Sequence, residues 1–193
     1  MKNALKKIDY NSPVVLSFAF ISFIVLVLGF ITGDWTTRTF FSVYRSSLAD
    51  LFGYVRLFGH VLGHANLSHY VNNMMMLLLI GPMLEEKYGS KLLLEMILIT
   101  AFVTGVLNNL LFPTGLLGAS GIVFMMIILS SVTSVKEGKI PLTLIVVVIL
   151  YLGDQIMAGV LSRDNISQLT HIIGGVCGGV FGMWIGRDPS LKD

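Results

Sequence analysis

The chain has 193 residues, of which 54% are hydrophobic and only 12% charged, and its mean hydropathy is +0.82. A water-soluble domain carries about 25% charged residues to cover its surface, so half that density excludes an ordinary soluble protein and makes lipid part of the solvent. The formal net charge of +2 is too small and too scattered for a nucleic-acid partner, and a single cysteine, Cys177, excludes an intrachain disulfide or a cysteine-based zinc site.

Lys2, Lys6 and Lys7 precede the first apolar block, at about 14 to 31. The pattern is that of a signal peptide, but roughly 18 apolar residues exceed a usual signal core and Thr32-Gly33-Asp34 is a poor cleavage site, so the block reads as a retained span. From Thr32 to Ser68 runs a long connection carrying Trp35, Phe40, Phe41, Tyr44, Phe52, Tyr54 and Phe58 among Arg38, Arg45, Asp50 and Arg56. Such a segment is expected in the membrane interface or against a helix bundle. Five further apolar blocks lie at about 69 to 84, 92 to 111, 120 to 135, 140 to 157 and 169 to 185. Their connections, Glu85 to Lys91, Phe112 to Ala119 and Lys136 to Lys139, are short enough for helical hairpins. The expectation is one all-α polytopic membrane domain over residues 1–193, with six transmembrane helices and a partly embedded first loop. No internal repeat supports an inverted-repeat transporter.

With the N-terminus inside, nine Lys and Arg (Lys2, Lys6, Lys7, Lys87, Lys91, Lys136, Lys139, Arg187, Lys192) face the cytoplasm and four (Arg38, Arg45, Arg56, Arg163) face outward. Both termini are therefore expected to be cytoplasmic, and the second, fourth and sixth helices all start at the outer face.

Polar side chains inside spans are costly unless they meet partners or water. Four of them converge: His69 and Asn73 open the second block on one helix face, Ser120 opens the fourth, and His171 opens the sixth. The fourth block, at about 22 Å, is shorter than a hydrocarbon core of about 30 Å, so Leu116 to Gly121 is expected as a re-entrant loop. Gly118 and Gly121 permit a tight turn and close approach there. Taken alone, Ser120 also suits a helix N-cap. Behind His171, Gly174, Gly175, Gly178, Gly179 and Gly182 form a small-residue face that lets a neighbouring helix approach. A Ser hydroxyl with a nearby imidazole is the minimum for an activated nucleophile. His69 and Asn73, with the Ser120 backbone N–H, can supply donors for a tetrahedral oxyanion. No carboxylate stands at that depth to complete a triad, so a Ser-His dyad is expected.

These residues resemble the rhomboid family of intramembrane serine proteases in its six-helix form. The run Arg56-Leu57-Phe58-Gly59-His60-Val61-Leu62-Gly63-His64, with His69 and Asn73, is similar to the family's histidine-rich approach to the second helix. Gly118-Ala119-Ser120-Gly121 fits its Gly-x-Ser-Gly motif, and His171 with Gly174 and Gly178 fits His-x-x-Gly-x-x-x-Gly. The resemblance implies Ser120 as nucleophile, His171 as general base and then acid, and His69 and Asn73 as oxyanion stabilisers. It also implies single-pass transmembrane substrates cut near small residues, and no cofactor. Two positions depart from the family pattern: Val55 stands where Trp is frequent, and Phe124 where Tyr commonly packs on the base, so stacking is expected without a hydroxyl.

The remaining polar residues read differently. Asn72 points about 100° away from Asn73, so spacing from His69 selects Asn73. His60 and His64 with His69 lack a carboxylate, so no metal site is expected and the resemblance makes them loop-packing residues. Asp154 is either a relay acid or a structural helix-end residue. Glu95, Asn108 and Asn109 read as inter-helix or interface contacts. Membrane lipids are the surrounding partner, and short loops suit a prokaryotic plasma membrane. The reading from a different class is a non-catalytic rhomboid-like chaperone or adaptor that binds transmembrane helices; retention of Ser120 and His171 argues against it.

Overall fold

The computed structural model describes residues 10–47, 49–133 and 165–187, with a few helical positions between 142 and 153. The fifth apolar block, Asp154 and both chain ends thus fall wholly or largely outside the described residues. The described residues are helical apart from loops and one isolated bridge. In chain order the elements are α1 (Pro13–Ile31), α2 (Trp35–Phe40), α3 (Leu51–Gly59) with a 3-10 turn at His60–Leu62, α4 (Leu67–Leu111), α5 (Ser120–Thr133) and α6 (Asn165–Arg187). Among the described residues only α1 and α4 are long and apolar enough to cross a membrane by themselves; Leu51–Leu62, Ser120–Val132 and Leu169–Ile185 are apolar but shorter. A bilayer environment suits α1, where Phe20, Ile24, Phe30 and Ile31 are 56 to 75% exposed.

α4 covers two expected blocks and the connection between them. Straight, it would hold His69 and Thr104 about 52 Å apart. Yet His69 abuts Gly118, the Gly118 N–H donates to the His60 carbonyl, and the His60 ring meets Thr104. The helix therefore folds back on itself. The break is Gly89, at φ 77°, a region only glycine occupies freely. Each arm is about 22 residues, or about 33 Å, so the expected blocks 69 to 84 and 92 to 111 are the two arms. The expected seven-residue connection reduces to a reversal at one glycine.

α1 lies antiparallel on the first arm of α4. Gly81 has Val15 against it, and Tyr70 Oη donates to the Ala19 carbonyl at 3.2 Å. The start of α1 is capped from outside: Ser12 makes no side-chain cap, whereas Glu85, 4% exposed, accepts from the N–H groups of Val14 (2.9 Å) and Val15 (3.0 Å) and from Ser90 Oγ (2.7 Å). A carboxylate there satisfies two orphan donors and faces the positive end of the helix dipole.

The first loop is more ordered than an aromatic connection suggests, because it contains α2 and α3. Asp50 caps α3 by accepting from Phe52 N–H at 3.1 Å and forms an ion pair with Arg56. The Arg56 guanidinium, 2% exposed, donates to the Thr39 carbonyl at 3.2 Å and lies 4.3 Å from the Tyr44 ring centroid. It also holds the Asp50 carboxyl below its ordinary value.

α5 is the central helix, buried from Gly121 to Ile127. Its partner is α6, along the glycines that the sequence singles out. A methyl on Gly174 would strike the Gly121 carbonyl, one on Gly178 the Met125 carbonyl, and one on Gly182 would sit 2.7 Å from Val132 Cγ1. Gly175 and Gly179 face Ile128 with room to spare, at 3.4 and 3.9 Å. The stripe at four-residue spacing is thus the contact that sets the backbone separation.

Candidate active site

Ser120 stands at the first turn of α5, and the reason is local. Gly118 takes φ 128°, accessible to glycine, and turns the chain into the helix. The Ala119 carbonyl already accepts the first helical bond, from Val123 N–H at 2.9 Å. Ala119 is therefore the cap residue and Ser120 the first helical one, so the N-cap reading of Ser120 is set aside. The residue is half-buried, and its N–H belongs to the donors of the helix start that have no intrahelical partner.

His69 and Asn73 approach from α4. A methyl on Gly118 would lie 2.7 Å from His69 Cε1, 2.8 Å from Nε2 and 3.9 Å from Asn73 Nδ2. Gly118 is thus the residue over which these two side chains reach the start of α5. The Ala65 N–H donates to His69 Nδ1 at 3.5 Å, which puts the proton of the neutral ring on Nε2, the nitrogen beside Gly118. Asn73, 2% exposed, spends one amide N–H on the His69 carbonyl at 3.0 Å and keeps a second. Asn72, by contrast, is exposed.

His171 approaches from α6. It is 6% exposed and stacks on Phe124, with centroids 4.2 Å apart and planes at 10°. Its neighbour Thr170 packs against Gly121, and Gly174, one turn on, meets the Gly121 backbone. Ser120 is bracketed accordingly: Gly118 before it faces His69 and Asn73, while Gly121 and Phe124 after it face the turn of α6 that carries His171. Among the four glycines singled out by motif, Gly118 serves φ and the histidine approach, and Gly121, Gly174 and Gly178 serve the α5–α6 contact.

The other histidines belong to the scaffold. His60, 1% exposed, donates from Nδ1 to the Arg56 carbonyl at 3.1 Å and meets Thr104 Oγ1 at 3.2 Å through Nε2, so both nitrogens are engaged. Gly105, where a methyl would fall 2.7 Å from the Leu57 carbonyl, lets this segment lie on α4. His64 donates from Nδ1 to the Leu62 carbonyl at 3.2 Å and meets His69 edge to face at 5.1 Å. Burial pushes both rings from 6.5 down to about 4, so they are neutral at neutral pH. Among the described residues no three His, Cys, Asp or Glu side chains gather as a metal ion requires.

Two contributors, Thr104 and Glu85, escape the sequence reading, while Asn108 is the buried polar contact expected of it. Thr104 and Asn108 line the inner face of the second arm, and Asn108 bonds the carbonyls of Val43 (3.1 Å) and Thr114 (3.2 Å). Their spacing of four is a legible signal of one buried polar face. Glu85 reads as part of a connection and is a helix cap; Ser12-Pro13 reads as a complete helix start, so no sequence signal points to it. Glu95 is exposed and lies 3.9 Å from Lys91, an interface pair.

The Rhomboid domain family model matches residues 51–188, from the first turn of α3 past the end of α6, and the chain belongs to that family. No curated protein matches the chain. The family is generally one of intramembrane serine proteases, and the family together with the apolar helices makes this a membrane protein.

Proposed function

We propose that this rhomboid family member is an intramembrane serine endopeptidase in which Ser120 and His171 form the catalytic dyad. The observation that carries the proposal is the bracketing of Ser120: His69 and Asn73 at Gly118 on one side, the His171 turn at Gly121 and Phe124 on the other. A binding module has no need for a hydroxyl, two imidazoles and an amide at one helix end.

His171 removes the Ser120 hydroxyl proton as the oxygen attacks a peptide carbonyl carbon, and the ring then returns that proton to the leaving amine. Charge on the carbonyl oxygen is met by His69 Nε2–H, the second Asn73 N–H and the Ser120 backbone N–H. Phe124 holds the imidazole plane by stacking, without a hydroxyl contribution. Water, activated by His171, then hydrolyses the acyl-enzyme. No cofactor takes part. The substrates are single-pass transmembrane proteins, and because a helical carbonyl is exposed only after local unwinding, those with Gly or Pro near the outer boundary are cut fastest. The chain crosses the plasma membrane of a prokaryote six times, with both termini cytoplasmic and Ser120 toward the outer face.

The test is cleavage of a labelled transmembrane reporter by detergent-purified protein. Ser120→Ala and His171→Ala are each expected to abolish turnover per folded molecule, Ser120→Ala with the unfolding midpoint unchanged. A wild type that binds reporters in several lipids and cuts none would replace the protease with a helix-binding chaperone or adaptor.

A further inference from the structure

The segment from Phe112 to Ala119, which delivers Ser120, is not helical. It owes its position to bonds with the first loop. Leu116 and Val43 exchange both main-chain bonds, at 2.9 and 2.8 Å, and Gly118 N–H donates to the His60 carbonyl at 2.9 Å. Asn108 bridges the Val43 and Thr114 carbonyls. Val43 is in turn held through Arg45 and Ser46, the residues just after it in the chain. Arg45 donates from Nη2 to the Leu110 carbonyl at 2.7 Å and from Nε to the Asn109 carbonyl at 3.4 Å. Ser46 N–H donates to Asn109 Oδ1 at 3.2 Å. The last carbonyls of a helix lack donors of their own and carry its negative end, so a guanidinium there caps α4 and is also attracted to it.

We propose that Arg45 is a positioning residue for the nucleophile. By clamping the 42–46 segment to the end of α4, it keeps Val43 in register with Leu116 and so fixes Gly118 and Ser120 relative to His69 and His171. The functional half of this inference rests on the protease reading; the clamp itself does not. Pairing through a single bridge has little register strength of its own, which is why a second attachment two residues away matters.

The test compares Arg45→Ala and Arg45→Lys with wild type, by reporter cleavage, thermal unfolding and hydrogen exchange of the 112–120 segment. For Arg45→Ala, kcat is expected to fall about tenfold with KM held within about twofold, as for a nucleophile displaced by a fraction of an ångström. Exchange in 112–120 rises, exchange in α6 and the unfolding midpoint stay unchanged, and Arg45→Lys, which keeps one cationic donor, recovers part of kcat. Unchanged kcat, a raised KM with kcat intact, or a lowered midpoint with kcat per folded molecule intact would each overturn the proposal. If the wild type cuts no reporter, the protease reading fails by itself and exchange decides the clamp: a rise supports it, no change overturns it.

Discussion

The two walls around Ser120 are built on opposite principles. On the α6 side, glycines at 174, 178 and 182 put backbone on backbone, and the contact is one of shape. On the α4 and first-loop side, Arg56, His60 and Asn108, all at most 3% exposed, hold the chain through hydrogen bonds to main-chain groups. Lipid offers no hydrophobic drive for helix association, so tight packing must supply it where helices are regular. Where the backbone is irregular, its polar groups have no water to turn to, and buried side chains must satisfy them. The comparison teaches that the α6 wall should fail by collision and the polar wall by unsatisfied donors.

The largest effect is expected at the α6 wall. Gly178→Leu puts a side chain into the Met125 carbonyl and should destabilise by about 3 kcal/mol or more, read as loss of the folded fraction in a denaturation series. A fully folded Gly178→Leu would break the comparison. Next comes Glu85→Ala, which leaves two α1 N–H groups and Ser90 without their acceptor and should cost about 2 kcal/mol. Glu85 is about 24 Å along α4 from His69, so activity per folded molecule should hold; a loss of kcat at constant stability would contradict the assignment of Glu85 to scaffold alone.

Acidification probes the polar wall by itself. His60 and His64, in the first loop, are depressed from 6.5 to about 4 by burial, so the unfolded chain binds protons that the folded chain refuses. Their contribution is complete above about pH 6.5 and is lost as the pH falls toward 4, on the order of 1 kcal/mol per ring by pH 5.5. Unfolding midpoints measured from pH 7.5 to 5 should fall, and the slope should shrink in His64→Gln. The smallest effect is expected at Phe124→Leu, which keeps most of the buried volume: stacking worth about 1 kcal/mol or less disappears, and kcat per folded molecule drops about three- to fivefold. Phe124→Tyr should restore it, because the ring and not a hydroxyl holds His171 here.

Much of this molecule was legible in one sequence. Five of the six apolar blocks, those on α1, α4, α5 and α6, follow from hydropathy, and the pairing of His69 with Asn73 and not Asn72 and the glycine face of α6 follow from helical periodicity, which acts on neighbours three and four residues apart. The first loop was not legible to the same degree, since α2 and α3 are short and are stabilised by Arg56, Tyr44 and Asp50 coming together from separate turns. That α4 reverses at Gly89 alone, that Glu85 caps a helix 71 residues earlier, and that Ala119 takes the cap position Ser120 could have filled are likewise long-range or backbone outcomes.

By itself the sequence determined the membrane class, the long helices among the described residues and the side chains on offer, because hydropathy, periodicity and side-chain type are properties of the chain. Only the tertiary structure decided which donors meet which carbonyls, and so how Gly118 and Ser120 are held. A hydrogen bond such as Arg45 to Leu110, across 65 residues, depends on two segments arriving within 3 Å, and no local pattern encodes that arrival.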